Sequence, residues 1–156
     1  MFYCLWPTYG KRIAKEFRVI IAETERLILR RFEAKDTKAI FLLNSIPEIL
    51  TYIPGAPMAN ISQAEQILDN MILSSYAELG YGRWAVEHKA DGKVIGFCGP
   101  KYIEEFGEVE LGYRYLPAYW GKGIGFEAGA AALSKFGDYG IQEAIALILI
   151  GNKGSE

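Results

Sequence analysis

The chain has 156 residues, a length at which one domain can bury a substantial core and two independent domains are effectively excluded. Hydrophobic residues make up 51% of the sequence and charged residues 23%, which is typical of a folded globular protein and excludes an intrinsically disordered chain. The 17 lysines and arginines against 19 aspartates and glutamates give a formal net charge of −2, so no basic field attracts nucleic acid or an anionic membrane. We therefore expect neither of these partners.

The cysteine content indicates the cellular compartment and whether a metal site is expected. Cys4 and Cys98 are too few for a disulfide framework, and neither stands at the spacing of zinc ligands. We therefore expect no metal site and a cytoplasmic location. Cys98 is predicted to be a small buried core residue, because nothing near it in the sequence favours a reactive thiolate. The longest apolar run, residues 144–150, is far shorter than the ~18 residues of a spanning helix.

The N-terminal part of the chain divides into an irregular stretch and a first strand. Residues 1–22 show no sustained hydrophobic period and contain a proline and a glycine, so we predict an extension that precedes a domain at residues 23–156. Residues 25–32 have the leucine and isoleucine content of a strand. A short helix is expected over residues 36–44, with an aspartate able to cap it and a proline beyond its end.

A second helix is predicted from its capping signal and its hydrophobic period. Ser62 and Glu65 fit a capping box, in which each side chain accepts a hydrogen bond from the other residue's backbone N–H group. Apolar residues then recur at helical spacing up to the glycines at positions 80 and 82. These apolar residues are Ala64, Ile67, Leu68, Met71 and Ile72.

Three strands are expected in the middle of the chain. Residues 83–88 and 93–99 flank Asp91-Gly92, a dipeptide that tolerates the positive φ of a tight hairpin turn. Residues 108–116 then alternate, which predicts a strand with two different faces. One face carries Val109, Leu111, Tyr113 and Tyr115, and the other carries Glu108, Glu110, Gly112 and Arg114.

The remaining elements complete the predicted fold. An alanine-rich helix follows a glycine loop, and residues 144–150 have the pattern of a strand that is apolar on both faces. The predicted order is β-α-α-β-β-β-α-β, without an internal repeat. We therefore predict an α/β fold in a single domain, with a mixed, mostly antiparallel sheet flanked by helices.

The glycine loop at residues 121–125 joins a strand to a helix. Several backbone N–H groups can converge there at the positive end of the helix dipole, which predicts an anion site. The loop is not a phosphate-binding loop of the nucleotide type, because Lys122 is followed by glycine rather than serine or threonine. It also departs from the dinucleotide fingerprint, since the third glycine comes one residue early. A plain packing turn is the alternative interpretation.

The order of motifs resembles the GCN5-related N-acetyltransferases, in the branch that includes the ribosomal-protein N-terminal acetyltransferases. The resemblance rests on ELGYRYLP at residues 110–117 followed by YWGKGIGFEA at residues 119–128. It extends from about residue 24 to the last residue, with ERL at residues 25–27 and WAV at residues 84–86. It implies acetyl transfer from acetyl-CoA to an amine.

The resemblance also implies where acetyl-CoA binds. Backbone amides of the glycine loop would cradle the pyrophosphate, and Lys122 would add positive charge. Pantetheine would add its amides to an exposed strand edge at residues 113–116, where an N–H group would also polarise the thioester carbonyl. The implied cofactor-binding residues are Tyr113, Arg114, Tyr115, Leu116, Trp120, Gly121, Lys122, Gly123, Ile124, Gly125 and Asn152.

Two residues are candidates for proton transfer. An amine attacks in its neutral form, yet amines in proteins are mostly protonated at neutral pH, so a base helps. Glu110 is the candidate base, because it lies on the motif strand with Glu108 on the same face, and neighbouring carboxylates raise each other's proton affinity. The alternative is that both acids are solvated strand residues. The resemblance assigns Ser155 to protonation of the leaving thiolate.

Family members continue with a further helix and two strands after the position of Ser155, and these 156 residues do not contain them. Three explanations stay open: a fragment, elements supplied by another chain or a second copy, and loss of catalysis. The predicted strand at residues 144–150 would then leave an apolar edge, which favours a homodimer unless the first twenty residues cover it.

Three functions compete on this basis. The first is an N-acetyltransferase that moves the acetyl group of acetyl-CoA to a primary amine by direct attack in a ternary complex. Its acceptor would be a small molecule or a protein N-terminus. The second is a non-catalytic module that binds acyl-CoA or a partner protein. The third is an unrelated protein that uses only the glycine loop, to hold a phosphate ligand.

Overall fold

The computed structural model describes residues 18–155. Five strands form a single sheet, in the spatial order of the chain. They are β1 (Ile20–Glu23), β2 (Leu27–Arg30), β3 (Trp84–His88), β4 (Lys93–Ile103) and β5 (Glu108–Tyr115). The α-helices are α1 (Thr37–Leu43), α2 (Pro47–Leu50), α3 (Ile61–Ile67), α4 (Ser74–Glu78) and α5 (Ile124–Phe136). Among residues 18–155, none of the helices has the length and apolar composition that a membrane-spanning segment requires.

Every pair of neighbouring strands in the sheet is antiparallel. The predicted hairpin around Asp91-Gly92 is confirmed, with His88 opposite Lys93 and Gly92 at a φ of +61°. The strand predicted at residues 93–99 continues to Ile103, because β5 pairs with it along its whole length, up to Ile103 opposite Glu108. The strand predicted at residues 108–116 is confirmed as β5.

Helices cover both faces of the sheet. The side chain of Arg114 on β5 reaches Leu43 and Asn44 at the end of α1. The neighbouring Tyr115 is buried with α5 residues in the core. Because successive strand residues point to opposite faces, α1 and α5 lie on opposite sides of β5. The α/β fold class predicted from the sequence is thus confirmed.

The core includes residues from both helical layers and from the central strands. Trp84 is fully buried and meets the ring of Phe136 edge to face, with ring centroids 6.2 Å apart. Leu68 and Ala64 from the second predicted helix are also buried. Cys98 is 0% exposed, as expected for a core cysteine, and burial raises the pKa of its thiol to about 11.

The helix predicted after residue 60 is present, but its cap differs from the prediction. Asn60, in extended conformation, accepts a hydrogen bond from the backbone N–H of Gln63 at 3.2 Å. The Gln63 side chain accepts in turn from the backbone N–H of Ala59 at 2.7 Å. The expected box of Ser62 and Glu65 is wrong by two residues, because asparagine caps as well as serine does. A π-helical turn, Leu68–Leu73, separates α3 from α4.

Two differences from the predicted order concern the ends of the sheet. β1 was not predicted, and the expected boundary between residues 22 and 23 falls inside it. The rest of the predicted extension, residues 1–17, lies outside the described residues. The strand predicted at residues 144–150 is wrong, because only Ile145 forms a bridge, parallel to Glu110. The hydrophobic pattern was that of a strand, but the chain diverges from β5 after one pair.

Candidate active site

The outer edge of β5 is open over its second half. Ile145 occupies the edge at one point only: its N–H donates to Val109 O at 2.8 Å, and its carbonyl accepts from Leu111 N at 2.8 Å. Since backbone groups alternate in direction along a strand, the N–H groups of Tyr113 and Tyr115 face the same edge. No acceptor within residues 18–155 meets them there. The divergence therefore leaves a gap lined by unpaired backbone donors.

The open edge divides the predicted cofactor-binding residues of this strand into two groups. The alternation that turns Tyr113 and Tyr115 outward turns the backbone of Arg114 and Leu116 toward β4. Leu116 N donates to Ile95 O at 2.9 Å. The amides of Arg114 and Leu116 are consequently not available to a ligand on the open edge.

The glycine loop connects this edge to α5. Gly121 and Gly123 have φ values of +68° and +74°, a conformation that favours glycine. A side chain on Gly121 would meet no atom within 4 Å, and one on Gly123 would meet only the Arg26 guanidinium at 3.6 Å. The backbone is therefore open to close approach by a ligand. The N–H groups of residues 121–123 have no described acceptor, and those of Ile124, Gly125 and Phe126 at the start of α5 have none within the helix.

Side chains of the turn between β1 and β2 form hydrogen bonds with the glycine loop and the start of α5. Arg26 Nε donates to Glu127 Oε2 at 2.6 Å, and Arg26 Nη1 donates to the carbonyl of Lys122 at 2.8 Å. Thr24 Oγ1 donates to Glu127 Oε1 at 2.5 Å. Partial burial acts to raise the pKa of Glu127, but the hydrogen bonds from Thr24 and Arg26 outweigh it, and the pKa is lowered. A charged network thus holds the loop in place.

Aromatic residues before the loop bind it to the sheet. The indole Nε1 of Trp120 donates to the carbonyl of Tyr115 at 2.8 Å. The Tyr119 hydroxyl donates to Asp91 Oδ2 at 2.6 Å, and His88 Nδ1 lies 2.7 Å from the same oxygen. The pKa of Asp91 is lowered, mainly by the hydrogen bond from Tyr119 and then by the one to His88. Hydrogen bonds from the residues before the loop therefore connect it to the β3–β4 turn as well as to β5.

Lys122, predicted to add charge to the cradle, is exposed and contacts the residues that precede the loop. Its Nζ donates to the carbonyl of Ala118 at 2.8 Å and stands 5.9 Å from the centre of the Tyr119 ring. Ile124 and Gly125 form the first turn of α5, and Ile124 is buried. The loop residues Trp120, Gly121, Lys122, Gly123, Ile124 and Gly125 therefore lie together at the end of the open edge.

Glu110, the candidate base, forms an ion pair. Its Oε2 accepts from Arg83 Nη2 at 2.5 Å, while Arg83 Nη1 donates to the carbonyl of Gly99 at 2.8 Å. Burial lowers the pKa of Arg83, and the Glu110 charge opposes this effect. Glu108, expected to act beside Glu110, is exposed at the start of β5. The charge next to Glu110 is therefore Arg83, and Glu110 Oε1 accepts no hydrogen bond from residues 18–155.

The segment after Ile145 returns to β5 near the open edge. The Tyr113 hydroxyl donates to the backbone carbonyl of Ser155 at 3.3 Å. Asn152 lies in the turn that precedes it, where its N–H donates to the carbonyl of Leu149 at 3.0 Å. The structure thus places Ser155 beside Tyr113 but joins neither Ser155 nor Asn152 to Glu110 by a hydrogen bond.

Sequence reasoning missed three arginines with defined positions here. Arg26 was noted only as part of a strand-opening motif, yet it contacts the glycine loop and α5. Arg83 starts the predicted hairpin, and its partner Glu110 is 27 residues away. The sequence motif implies a role for the backbone of Arg114 and none for its side chain. Their partners are distant in sequence, so local patterns carry no signal for them.

Comparison with known proteins agrees with this geometry. The family model described as Acetyltransferase (GNAT) domain matches residues 26–156. The chain is 34% identical to the Bacillus subtilis protein YkkB over 142 residues, which cover 85% of this chain and 77% of YkkB. It is 36% identical to a Bacillus licheniformis protein named uncharacterized N-acetyltransferase p20 over 118 residues, covering 75% of this chain and 64% of that protein.

Solved structures show the same fold. A GNAT-family acetyltransferase from Bacillus anthracis superposes with a TM-score of 0.68 at 25% identity, covering 84% of this chain and 75% of the other. RimL, a ribosomal L7/L12 alpha-N-protein acetyltransferase, superposes with a TM-score of 0.70 at 16% identity, covering 88% of this chain and 76% of RimL. These matches exclude an unrelated phosphate-binding protein. The chain belongs to the GNAT acetyltransferase family.

Proposed function

We propose that this protein is an acetyl-CoA-dependent N-acetyltransferase that acts on a primary amine by direct attack in a ternary complex. One observation carries the proposal: unpaired N–H groups on the β5 edge lead directly into an open glycine loop at the start of a 13-residue helix. Two sets of backbone donors are thereby aligned for a long ligand with amides at one end and phosphates at the other. A cytoplasmic location belongs to the same proposal, since Cys98 is a free thiol.

The residues present fit the shape and charge of acetyl-CoA. The pyrophosphate would meet the N–H groups of the loop, where no side chain blocks the approach to Gly121 or Gly123. Arg26, whose side chain is 40% exposed, lies beside Gly123, where its charge is balanced by Glu127 and its guanidinium holds the loop in position. Pantetheine amides would pair with the N–H groups of Tyr113 and Tyr115, with Asn152 nearby in the returning segment. When bound, acetyl-CoA supplies a thioester with an electrophilic carbonyl carbon.

Glu110 and Ser155 serve as the proton acceptor and the proton donor of the reaction. Glu110 Oε1, which has no described partner, accepts the proton that the amine loses as its nitrogen bonds to the acetyl carbon. Arg83 holds the other oxygen of Glu110 and so orients the carboxylate. The carbon–sulfur bond breaks, and the Ser155 hydroxyl would deliver a proton to the departing sulfur. One amine proton is lost and one thiol proton is gained, and the proton on Glu110 returns to Ser155 through solvent before the next turnover.

The test of cofactor binding uses two glycine substitutions with the same backbone cost. Gly123→Glu places a carboxylate in the phosphate cradle, and Gly107→Glu makes the same change at a turn with a φ of +66° and open space around it. Acetyl-CoA at 100 times its Kd stabilises a protein by about 2.7 kcal/mol, roughly 5 to 10 °C in Tm here. We expect that shift in the wild type and in Gly107→Glu, and its loss in Gly123→Glu.

The catalytic half is tested by release of CoA, with mass spectrometry of the acetylated amine, over a panel of small-molecule and peptide N-terminal amines. A thermal shift without transfer to any amine would favour the alternative, a non-catalytic module of the same family. Equal thermal shifts in Gly123→Glu and Gly107→Glu would contradict the proposed cradle. ATP and NAD serve as ligands that should give no shift.

A further inference from the structure

A groove lies on the α1 face of the sheet, on the side opposite to α5. It has a volume of about 530 Å³, within the usual range for small-molecule sites. Its lining comes from the end of α1, the segment between α2 and α3, the α3 helix, the π-helical turn and β5. Representative lining residues are Asn44, Ile53, Met58, Gln63, Met71 and Arg114. Among the described residues that line it, Arg114 carries the sole formal charge.

The Arg114 guanidinium has no carboxylate partner among residues 18–155. Its Nη1 donates to two neutral acceptors, Asn44 Oδ1 and the carbonyl of Leu43. Its Nε is buried without a hydrogen-bond partner. Its Nη2 also has no described partner and is not among the buried unpartnered atoms, so it is accessible to solvent. Two donor groups of one arginine are therefore unused.

A second arginine lies close to Arg114. Arg83 and Arg114 both lie 5.4 Å from the centre of the Phe97 ring. Glu110 pairs with Arg83 and not with Arg114, so among residues 18–155 the Arg114 charge has no counter-charge within ion-pair distance. Burial, and then repulsion by Arg83, lower the pKa of Arg114 to about 10, which leaves it protonated at neutral pH. A charge placed in this way is stabilised by an anion, and a planar guanidinium fits a carboxylate with two hydrogen bonds.

The helical segment that forms the other side of the groove has an irregular turn at the groove. The π-helical turn Leu68–Leu73 contributes Asn70 and Met71 to the lining. Single π-helical turns occur often at functional sites, because the extra residue redirects side chains. An irregular helix and an unpaired arginine thus face the same groove from different elements.

We propose that this groove binds the amine acceptor, and that Arg114 recognises a carboxylate on it. The inference rests on the proposed function and gives it a substrate class: amines that carry a carboxylate, such as amino acids and acidic peptides. Polycationic acceptors such as polyamines are disfavoured, since the groove offers them an arginine and, in its described lining, no acid. Glu110 lies on the same face of β5, four residues from Arg114.

The first experiment measures carboxylate binding without acetyl transfer. In the ¹⁵N-labelled protein, the Arg Nε–Hε signal that disappears in Arg114→Lys is assigned to Arg114. N-acetyl amino acids, which resemble the reaction product, are titrated alongside their C-terminal amides. The Arg114 signal is expected to shift with the carboxylates and not with the amides. Absence of a shift with every carboxylate would overturn the inference, and this needs only the wild-type fold.

The second experiment measures acceptor preference. The panel consists of amino acids, ω-amino acids of increasing length and acidic dipeptides, each paired with its amide, together with diamines. The wild type should prefer the carboxylate of a pair by roughly 10- to 100-fold in kcat/KM. Arg114→Gln should abolish the preference mainly through KM, and Arg114→Lys should retain part of it. Lys38→Gln, which removes an exposed charge from α1, is the matched control and should keep the preference.

The outcomes separate this inference from the proposed function. If the wild type acetylates amides or diamines as efficiently as carboxylates, and Arg114→Gln does not change these rates, the acceptor class is wrong. The transferase activity itself would still be supported. Carboxylate binding at Arg114 without transfer to any amine would support the anion site and contradict the transferase. Melting curves of each variant with acetyl-CoA establish that the fold and the cofactor site are intact.

Discussion

At Gly112, the absence of a side chain makes room for the Arg83 guanidinium. A Cβ atom at Gly112 would stand 2.0 Å from Arg83 Nη1 and 2.2 Å from its central carbon. The guanidinium can therefore lie on the strand backbone and reach Glu110, two residues away on the same face. Glycine in the ELGYR motif thus sets the position of the candidate base, through the arginine that packs upon it.

The Glu110→Gln substitution tests the role of this carboxylate. Gln keeps the hydrogen bond to Arg83 but cannot accept a proton, so kcat should fall by roughly 100-fold or more, with little change in acetyl-CoA binding. The measurement is steady-state kinetics with an acceptor from the panel, across a range of pH. The variant should also be less stable, because Arg83 then lacks its counter-charge in a mostly buried position.

Glu108→Gln is the matched control for this experiment. Glu108 lies on the same strand two residues earlier and is exposed. We expect its kcat and Tm to match those of the wild type. Equal activity of Glu110→Gln and Glu108→Gln would show that Glu110 is not the base.

The N-terminus of α5 is held by side chains of the β1–β2 turn, and this connection places the glycine loop. Glu127, in the first turn of the helix, complements the positive end of the helix dipole and binds Thr24 and Arg26. Arg26 also binds the loop carbonyl of Lys122. Glu127 therefore connects the helix, the loop and the β1–β2 turn, in addition to the contacts of Tyr119 and Trp120 with the sheet.

The Glu127→Gln substitution should destabilise the protein by about 2 kcal/mol at neutral pH, the range of hydrogen bonds to a charged group. The folded-state pKa of Glu127 is lowered, so its contribution is present above its ordinary value of 4.5 and is lost as the pH falls through the folded-state pKa. The Tm difference between wild type and variant should accordingly shrink in acid. Thermal melts from pH 7 to pH 3 measure this.

Glu25→Gln provides the control for the charge change. Glu25 is exposed in the same turn and has no hydrogen bond or ion pair to a described residue. Its substitution should leave Tm unchanged at every pH. A constant Tm difference for Glu127→Gln across the pH range would contradict the role assigned to the charge.

For the whole molecule, the notable surface is the segment that leaves β5 after Ile145. Leu147, Ile148, Leu149 and Ile150 are 54%, 39%, 53% and 97% exposed, respectively. Four consecutive apolar residues on a surface favour association. Their exposure follows from the same divergence that opens the β5 edge, so both features have one structural cause.

A homodimer through this segment is a prediction at this scale. The mass from light scattering should rise with concentration in the wild type, and Leu149→Asp should lower that rise by placing a charge in the apolar run. Leu133→Asp, at a residue on α5 that is 49% exposed, is the matched control and should associate like the wild type. A monomer mass at all concentrations of the wild type would contradict the prediction.

Local patterns in the sequence were sufficient to predict the parts of this protein that depend on neighbouring residues. Alternation and turn chemistry predicted the β3–β4 hairpin and β5, and the glycine loop before α5 was predicted from its spacing. These features depend on residues within a few positions of one another, so a single sequence is sufficient. The family resemblance, which rests on the same local motifs, was confirmed by the family model.

The contacts between groups that are distant in the sequence became visible in the folded structure alone. Residues 144–150 have the hydrophobicity of a strand, yet the chain pairs with β5 at one residue. A hydrophobic pattern indicates which face of a strand is buried, but it does not indicate which strand edge it pairs with. Arg26 meets Glu127 across 101 positions, and Arg114 meets Asn44 across 70. Such contacts depend on how helices and sheet pack together, and hydrophobic periodicity carries no information about the partner of a charged side chain.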